Sequence, residues 1–561
     1  MNYTFIDFFC GAGGFSEGFR QQGFTPLRGI DNWQPAINTH NLNFGLNDSV
    51  KSVLEFENDE EIEKLEDSDI ILGSPPCVSF SMANKAGKAN KSLGIQLIEA
   101  FLRVVAVKKH QKNSILKAWY MENVPNSQKY VKEFYTFDDL NLSNWAKING
   151  KNGKEIALKV QNSGAILNSN RYGSGQKRER FICGEFIESG EFLYPKETHY
   201  DNNLITLEDI LNQMPTPIEK DFSKKYIDPN YPNLELTLDK LTDHFYDTGL
   251  YKIEWEKAKR AKTNHPFMGK MSFPENQKKP SRTVMATRSG STREALIYKS
   301  EYQREGNGEF RMPTIREVAT IMGFPSVFNF TGSEGTKWKQ IGNAVCPHMS
   351  FALAKELKKR LTKNEINHSE INFTHLIENN DLEKINFNNL NSKKEKIFNK
   401  PPKRTQTSKF RRHIFKGGNL TVTLMNHSQL DKNIETGINW YMYVFLGSGK
   451  QFKAVEIEKD YYKKIELYIN EFLLTYKSFT EESKKMIKNI PSSKMLHTLY
   501  VENNRDSKYL DVETFFELAE SLIEKNYCTD IISQPFFKEK EKLPIFQILS
   551  LYLINLYYSD I

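Results

Sequence analysis

The sequence predicts an α/β protein with a doubly wound, mostly parallel sheet, a smaller irregular domain, and a C-terminal extension that is α/β or mostly helical. Three observations support this prediction. Short apolar runs in the first third of the chain end in polar turns and are followed by helical patterns, which is typical of a parallel sheet. This alternation is lost in the middle of the chain, and an Asn/Lys-rich stretch then separates the last third.

The α/β part is predicted from strands and helices that alternate along the chain. Strands are recognised by runs of β-branched and aromatic residues, and helices by apolar residues at every third or fourth position. These criteria predict strands at residues 3–9, 26–30, 69–72 and 119–121, and helices at residues 15–22 and 95–108. Ligands of such sheets bind at the carboxyl ends of the strands.

The middle of the chain predicts a less regular domain. Residues 187–279 are polar, with scattered prolines and aromatics and no period. Strand patterns return at residues 282–286 and 295–298. Thr314 followed three residues later by Glu317 is a capping-box pattern, which predicts a helix ending at Met322. A further helix is predicted at residues 342–361.

The last third begins with a predicted linker or arm at residues 362–418, which contains Pro401-Pro402. Beyond it, residues 420–425 and 440–446 predict strands, and residues 543–558 predict a core helix. Residues 393–416 contain ten Lys or Arg and one Glu, so their local net charge is +9. Because the whole chain has a net charge of +7, the rest of it has −2. Such a basic band is compatible with a polyanionic partner and equally with a solvated linker.

Composition narrows the class of protein. The chain has 561 residues, of which 39% are hydrophobic and 26% charged, so disordered, collagen-like and coiled-coil proteins are excluded. The five cysteines lie far apart without a C-x-x-C pair, which excludes a zinc finger and a disulfide framework. The N-terminus lacks the basic segment of a signal peptide, and no apolar stretch reaches the roughly 18 residues of a membrane span. We therefore expect a cytoplasmic protein.

Reactive groups follow the predicted strands. The first strand contains Asp7 and runs into Gly11-Ala-Gly-Gly14, whose backbone a ligand can approach closely because glycine has no Cβ. Asp31 ends the second strand, where an acid can bind ribose hydroxyls. Cys77 follows the third strand, and Glu122 follows the fourth. Taken singly, each has an ordinary explanation as a tight turn, a buried thiol or a helix cap.

Taken together, these segments resemble the DNA cytosine-5 methyltransferase family of the prokaryotic restriction-modification type. The resemblance covers residues 1 to about 360. It rests on FIDFFCGAGGFS (5–16), GSPPC (73–77), ENV (122–124), YGSGQKRERF (172–181), RTV (282–284), GFP (323–325) and QIGNAV (340–345). Gly175 stands where the family usually has proline. The resemblance implies the S-adenosylmethionine-dependent methyltransferase fold, with residues 187–279 as the variable target-recognition region.

The resemblance also implies the chemistry of each residue. Cytosine C5 is a poor nucleophile, and addition of the Cys77 thiolate to C6 makes it reactive. Glu122 is expected to donate a proton at N3, and Arg180, with Arg178 behind it, to neutralise charge at O2. S-adenosylmethionine is the expected cofactor, without any metal. Its expected contacts are Asp7, Phe9, Gly11, Gly13, Asp31 and Asn343, and Asp48 is a candidate for contacting the adenine.

The implied partner is double-stranded DNA, from which the target nucleotide is flipped out. Residues 80–94 resemble the family's mobile loop. Expected DNA contacts are Ser81, Arg288 and Arg293, together with Lys403, Arg404, Arg411 and Arg412 in the basic arm. We also expect a cognate restriction endonuclease that acts on the same site without a stable complex, no membrane association, and a monomer.

These expectations divide the chain into five segments. They are a catalytic and cofactor-binding domain (1–186), a target-recognition domain (187–335), a closing helix (336–362), a basic linker or arm (363–418) and an accessory domain (419–561).

Two alternatives stay open. An RNA cytosine-5 methyltransferase would share the catalytic motifs, although the Cys-Phe-Thr signature of the tRNA-methylating relatives is absent, since no cysteine lies between Cys183 and Cys346. A catalytically silent DNA-binding regulator would be expected to have lost Cys77, Glu122 or Arg180, and all three are present.

Overall fold

A computed structural model describes most of the first 396 residues and separate parts of the remainder. The described residues are 3–76, 91–264, 269–362, 364–367, 370–373, 376, 390–392, 395–396, 411–417, 420–425, 441–446, 452–454, 463, 466–467, 470–471, 474–475, 477, 518, 521–524, 531–532, 543–544 and 550. The chain divides into two compact units, Met1–Lys396 and Ile397–Ile561.

The first unit is built on a six-stranded sheet. Its strands are β1 (Thr4–Phe8), β2 (Thr25–Ile30), β3 (Ile70–Gly73), β4 (Ala118–Asn123), β7 (Gly164–Asn168) and β8 (Glu179–Phe186). The strand order is β2-β1-β3-β4-β8-β7, with parallel pairing from β2 to β4 and antiparallel pairing of β8 with both neighbours. The predicted mostly parallel sheet is confirmed.

Ten α-helices are described in this unit. They are α1 (Gly14–Gln21), α2 (Gln34–Phe44), α3 (Asp59–Glu63), α4 (Lys91–His110), α5 (Ser143–Ile148), α6 (Leu207–Leu211), α7 (Lys252–Thr263), α8 (Ile315–Met322), α9 (Glu334–Asn343) and α10 (Pro347–Thr362). Among the described residues, no helix is long and apolar enough to cross a membrane.

The sheet is covered by hydrophobic residues on both faces. Successive side chains of a strand point to opposite faces, and on β4 Tyr120 joins one buried cluster while Trp119 joins the other. On the first face α1 packs against α10 so closely that a Cβ on Gly18 would lie 2.3 Å from the Phe351 nitrogen. On the second face, Phe101 of α4 leaves no room for a side chain on Gly73. This two-sided covering is the doubly wound arrangement that the sequence predicts.

Shorter strands lie outside the central sheet. They are β5 (Phe134–Thr136), β6 (Ile156–Lys159), β9 (Lys225–Ile227), β10 (Glu235–Thr237), β11 (Tyr298–Lys299) and β12 (Phe310–Arg311). They form antiparallel pairs β5-β6, β9-β10 and β11-β12. In residues 187–279 the described strands are β9 and β10, as the predicted low regularity implies, but the twelve-residue helix α7 was not predicted there.

The predicted helix at Thr314 is confirmed. The Thr314 hydroxyl accepts from the Glu317 nitrogen at 3.2 Å, and the Glu317 carboxylate accepts from the Thr314 nitrogen at 2.7 Å. The strand expected at residues 282–286 is wrong. Its backbone is bound by side chains instead, because the nitrogen of Val284 donates to Gln176 and its oxygen accepts from Arg178.

One predicted strand and one predicted helix have different bounds in the structure. The strand predicted at residues 295–298 is limited to β11. The single helix predicted at residues 342–361 is two helices, since α9 ends at Asn343 and α10 begins at Pro347. Proline suits the first position of a helix because it has no N–H to be satisfied there.

The second unit contains a four-stranded antiparallel sheet. Its strands, in spatial order, are β13 (Arg411–Gly417), β14 (Leu420–Met425), β15 (Tyr441–Leu446) and β16 (Phe452–Ala454). A separate pair is formed by β17 (Ile531–Ile532) and β18 (Leu543–Pro544). The two predicted strands are confirmed, whereas the helix expected from residue 543 is wrong at its start, because Leu543 pairs with Ile532.

Candidate active site

The candidate site lies where β1, β2, β3 and β4 end. These strands are parallel neighbours, so the residues that follow them meet at one edge of the sheet. Ser74, which follows β3, donates from its hydroxyl to the Phe9 carbonyl at 3.0 Å. The loops after β1 and β3 are therefore joined directly.

The glycine loop after β1 has an unusual backbone. Gly11 and Gly13 have φ of +54° and +95°, and Phe9 has φ of +54°. An aromatic residue in this left-handed region is strained, and such strain persists where the surroundings impose it, often at binding sites. A Cβ on Gly13 would lie 2.3 Å from the Phe44 ring, so glycine is required there.

Asp31 closes this loop from the end of β2. One of its carboxylate oxygens accepts from the Gly11 nitrogen at 3.0 Å, and the other accepts from the Trp33 nitrogen at 2.8 Å. Burial raises the pKa of Asp31, and these backbone hydrogen bonds oppose that increase. The structure thus brings together Gly11 and Asp31, two residues that the sequence predicts for cofactor binding.

Asp7 lies beneath the loop in a buried polar chain. Its Oδ2 accepts from the Ser16 hydroxyl at 2.6 Å, and the same hydroxyl lies 3.0 Å from Nε2 of His40. Asp7 Oδ1 and His40 Nδ1 are buried and have no hydrogen-bond partner among the described residues. Burial raises the pKa of Asp7 to about 7 and lowers that of His40 to about 3.

Ser16 and His40 were not predicted as site residues from the sequence. Ser16 stands inside the matched glycine motif, so its position was available as a signal. His40 is 24 residues farther along the chain on α2, and no motif connects it to Asp7.

The acidic residue at the end of β4 is paired with an arginine on β8. Glu122 is 6% exposed, and its Oε1 lies 2.8 Å from Nε of Arg180. Burial raises the pKa of Glu122, and the charges of Arg180 and Arg178 oppose this without cancelling it. A carboxyl with a raised pKa is suited to donate a proton to a substrate atom.

Asn123 joins this end of β4 to the loop after β3. Its Nδ2 donates to the Pro75 carbonyl at 3.1 Å, and its Oδ1 accepts from the Val124 nitrogen at 2.8 Å. Asn123 belongs to the ENV motif, but no role was predicted for it. Cys77 and Ser81, with residues 80–90 of the predicted mobile loop, lie outside the described residues. The predicted loop is wrong at its end, because α4 begins at Lys91 and includes residues 91–94.

Arg178 occupies a different position from Arg180, although the two lie on the same chain segment. It is 1% exposed, and its guanidinium donates to the carbonyls of Val284 at 3.2 Å and of Gly342 and Ala344 at 3.0 Å each. Asn343, between the last two, is exposed at the end of α9. These contacts favour a positioning role for Arg178 over the predicted direct one.

The other predicted contacts are placed as follows. Arg288 pairs with Glu334 at 2.9 Å, and Arg293 donates to the carbonyls of Ala261 and Gly269 at 2.8 and 2.6 Å. Asp48 accepts from the Gly29 nitrogen at 2.8 Å.

The predicted arm contacts fall in the second unit. Lys403 and Arg404 lie outside the described residues, and Arg411 and Arg412 are described only as backbone of β13.

No group of three His, Cys, Asp or Glu that could hold a metal ion occurs among the residues that the structure describes. Beside Arg180 lies an open cleft of about 760 Å³, lined by Val124, Lys129, Lys177, Arg282 and Thr283 among others. The cleft adjoins the Glu122–Arg180 pair and carries several cations.

The chain is similar to known type II methyltransferases. M.MJ0563P of Methanocaldococcus jannaschii, assigned to these enzymes, is 29% identical over 366 residues, which are 64% of this chain and 99% of that one. M1.HphI of Haemophilus parahaemolyticus and M.HpaII of Haemophilus parainfluenzae are each 26% identical over 64% of this chain, and over 88% and 90% of their own lengths.

The C-5 cytosine-specific DNA methylase family matches residues 3–359. That span is more than half of the 561 residues, and it contains the glycine loop, Asp31, the Glu122–Arg180 pair and Asn343. The chain therefore belongs to the C-5 cytosine-specific DNA methylase family.

Proposed function

We propose that this DNA cytosine-5 methyltransferase uses Cys77, Glu122 and Arg180 to methylate a cytosine within a specific sequence of double-stranded DNA. The observation that carries the proposal is the buried Glu122–Arg180 pair, 2.8 Å apart at the carboxyl end of β4. Asn123 holds this end against Pro75, two residues before Cys77 in the chain.

The chemistry assigns one task to each residue. The Cys77 thiolate forms a bond to C6 of the flipped-out cytosine, which moves negative charge onto N3 and O2. Glu122 gives its proton to N3, and the Arg180 guanidinium stabilises the charge at O2. After C5 is methylated, a base removes the C5 proton, the thiolate is expelled, and the N3 proton returns to the Glu122 carboxylate, which restores the ring.

The residues of the glycine loop fit S-adenosylmethionine, which supplies the methyl group when bound. Three observations support this fit. A Cβ on Gly11 would meet nothing nearer than 3.9 Å, so space is open above the loop. Asp7 has an unpartnered buried oxygen, and Asp31 follows the end of β2, a position from which an acid can bind ribose hydroxyls. The other proposed contacts of S-adenosylmethionine are Phe9, Gly13 and Asn343.

Further parts of the proposal concern partners. Residues 187–335 are proposed to recognise the target, with Arg288 and Arg293 exchanging their internal partners for DNA. Ser81 and the basic arm supply the remaining DNA contacts. We also propose a monomer that protects its target from a cognate restriction endonuclease acting at the same site.

Bisulfite sequencing of DNA from cells expressing the protein tests the activity and identifies the methylated site. Cys77→Ala should abolish methylation, and Cys528→Ala, which lies beyond the family match, should preserve it. DNA with 5-fluorocytosine at the target should trap the wild type covalently, because fluorine blocks the final elimination. Trapping by the Cys77→Ala protein would overturn the assignment of the nucleophile. Protected cytosines in RNA and none in DNA would favour an RNA methyltransferase.

A further inference from the structure

A segment beyond the family match returns to the first unit. The match ends at residue 359, yet Leu390, Asn391, Ser392, Glu395 and Lys396 are described within this unit, and we call them the strap. Leu390 is 6% exposed and belongs to the main hydrophobic cluster. The strap is therefore packed into the fold at its first residue.

Asn391 binds three backbone groups of residues 241–245. Its Oδ1 accepts from the nitrogens of His244 at 2.8 Å and Phe245 at 3.1 Å, and its Nδ2 donates to the Leu241 carbonyl at 2.7 Å. A single side chain thus provides hydrogen-bond partners for three backbone groups of residues 241–245, which lie outside any strand or α-helix. A hydrophobic replacement would leave these groups without their partner.

Asp243, in the same loop, is fully buried and has φ of +61°. Both of its oxygens lie 2.8 Å from Nζ of Lys337 on α9, and Oδ1 also accepts from the Leu390 nitrogen at 3.1 Å. A buried ion pair is stable only when its remaining hydrogen-bonding groups are satisfied, and the strap supplies one of these bonds. The left-handed backbone of Asp243 needs surroundings that hold it in place.

The other end of the strap binds residues 247–249. The Lys396 nitrogen donates to the Asp247 carboxylate at 3.0 Å, and its Nζ donates to the Gly249 carbonyl at 2.7 Å. Arg304 pairs with Asp247 at 2.8 Å and also with Glu395. The strap therefore fixes the whole run from Leu241 to Gly249 at both ends.

This run is connected through α9 to a proposed DNA contact. The helix carries Lys337, which pairs with Asp243, and Glu334, which pairs with Arg288 at 2.9 Å. A shift of residues 241–249 would therefore be transmitted to Arg288, which contacts the start of α9, whereas Asn343 lies at the opposite end of the helix.

We propose that the strap is a positioning element for target recognition, and that Asn391 is its central residue. The proposal rests on the proposed function, in which residues 187–335 recognise DNA. It assigns a part of sequence specificity to residues that the family match does not include. Asn391 contacts no substrate and acts through the loop that it holds.

The test uses full-length protein with Asn391→Leu, which keeps the approximate volume and removes three hydrogen bonds. The KM for target DNA should rise about tenfold, because the three lost hydrogen bonds allow residues 241–249 to shift and part of their loss lowers stability instead of DNA binding. Discrimination against sites with one altered base pair should fall. The KM for S-adenosylmethionine and kcat at saturating DNA should stay within about twofold of wild type. Asn364→Leu, an exposed asparagine after α10, is the matched control.

Asn391→Asp provides a second variant. It keeps the acceptor for His244 and Phe245 but replaces the donor to Leu241 with a carboxylate oxygen that repels the Leu241 carbonyl, so its KM for DNA should rise by at least about threefold. Unchanged DNA KM and discrimination in Asn391→Leu would overturn the proposal. If that variant does not fold, wild-type values for Asn391→Asp would overturn it equally. Failure of wild-type protein to methylate DNA would instead contradict the proposed function, so the two failures are distinguishable.

Discussion

Nε of Arg180 lies 2.8 Å from Oε1 of Glu122, across the antiparallel pair of β8 and β4. The contact joins the residue proposed to protonate the base to the one proposed to stabilise its charge. Burial outweighs the arginine charges and keeps the pKa of Glu122 above its ordinary value. The carboxyl therefore retains its proton at a higher pH than an exposed glutamate would.

Glu122→Gln should bind S-adenosylmethionine normally and lose about 10²- to 10⁴-fold in kcat, since an amide does not donate a proton as the acid does. In the wild type, the acid form declines as pH rises through the raised pKa, so kcat should fall on the alkaline side. Stopped assays of methyl transfer across pH measure both effects. A variant that turns over at a near-normal rate would remove Glu122 from the catalytic set.

Much of this site was predictable because its residues follow strands that are close in sequence. Asp31 and Glu122 end apolar runs, and parallel pairing then brings such ends together. Arg178 was not predictable in the same way. It stands two residues from Arg180 in one motif, and only the folded positions of Val284, Gly342 and Ala344 show that its guanidinium serves the backbone. The strap was equally hidden, since Asn391 lies 150 residues from Leu241.

Arg178→Met should mainly reduce the stability of the protein, whereas Arg180→Met should mainly reduce its kcat. Arg178→Met leaves three buried carbonyls unpaired, so the free energy of unfolding should fall by about 3–5 kcal/mol. The KM for S-adenosylmethionine should also rise, because Asn343 lies between two of those carbonyls. Arg180→Met should lose kcat and less stability, because burial favours the neutral form of the Glu122 carboxyl that it leaves behind. Urea denaturation and steady-state kinetics on both proteins separate the roles. Equal stability of the two variants would contradict the proposed positioning role of Arg178.

Asp7→Asn tests the buried chain beneath the glycine loop. Because burial raises the pKa of Asp7 from 3.8 to about 7, the folded state favours its protonated form. The contribution of Asp7 to the free energy of unfolding is therefore fully present below the pKa that it has in the unfolded chain. It is lost as pH rises through the pKa of Asp7 in the folded protein. The free energy of unfolding of Asp7→Asn, measured by urea denaturation, should therefore rise by about 2 kcal/mol relative to that of the wild type between about pH 5.5 and pH 8.

Asp209→Asn is the matched control for this measurement. Hydrogen bonds from Thr206 lower the pKa of the exposed Asp209, so its contribution is lost only as pH falls through that lowered pKa. Its stability difference from wild type should stay constant over the same neutral range. A difference for Asp7→Asn that is also constant would show that Asp7 does not titrate there.

The last prediction concerns the basic arm between residues 393 and 416, whose local charge of +9 contrasts with −2 for the rest of the chain. A polyanion is drawn first to such a concentration of charge. If about four of the ten cations meet phosphates, their removal should flatten the slope of log K against log salt by about 3 to 4 units, at −0.9 per contact. Target choice should survive, because phosphate contacts carry no direct sequence information.

The test variant replaces five of these cations with Ser or Gln: Lys403, Arg404, Lys409, Arg411 and Arg412. A control with equal loss of charge replaces five exposed lysines of the first unit with Gln: Lys112, Lys117, Lys147, Lys154 and Lys159. DNA affinity is measured across salt for both, after their folding is verified. If only net charge mattered, the two variants would change the slope equally. A slope unchanged from wild type in the arm variant would instead identify the segment as a solvated linker.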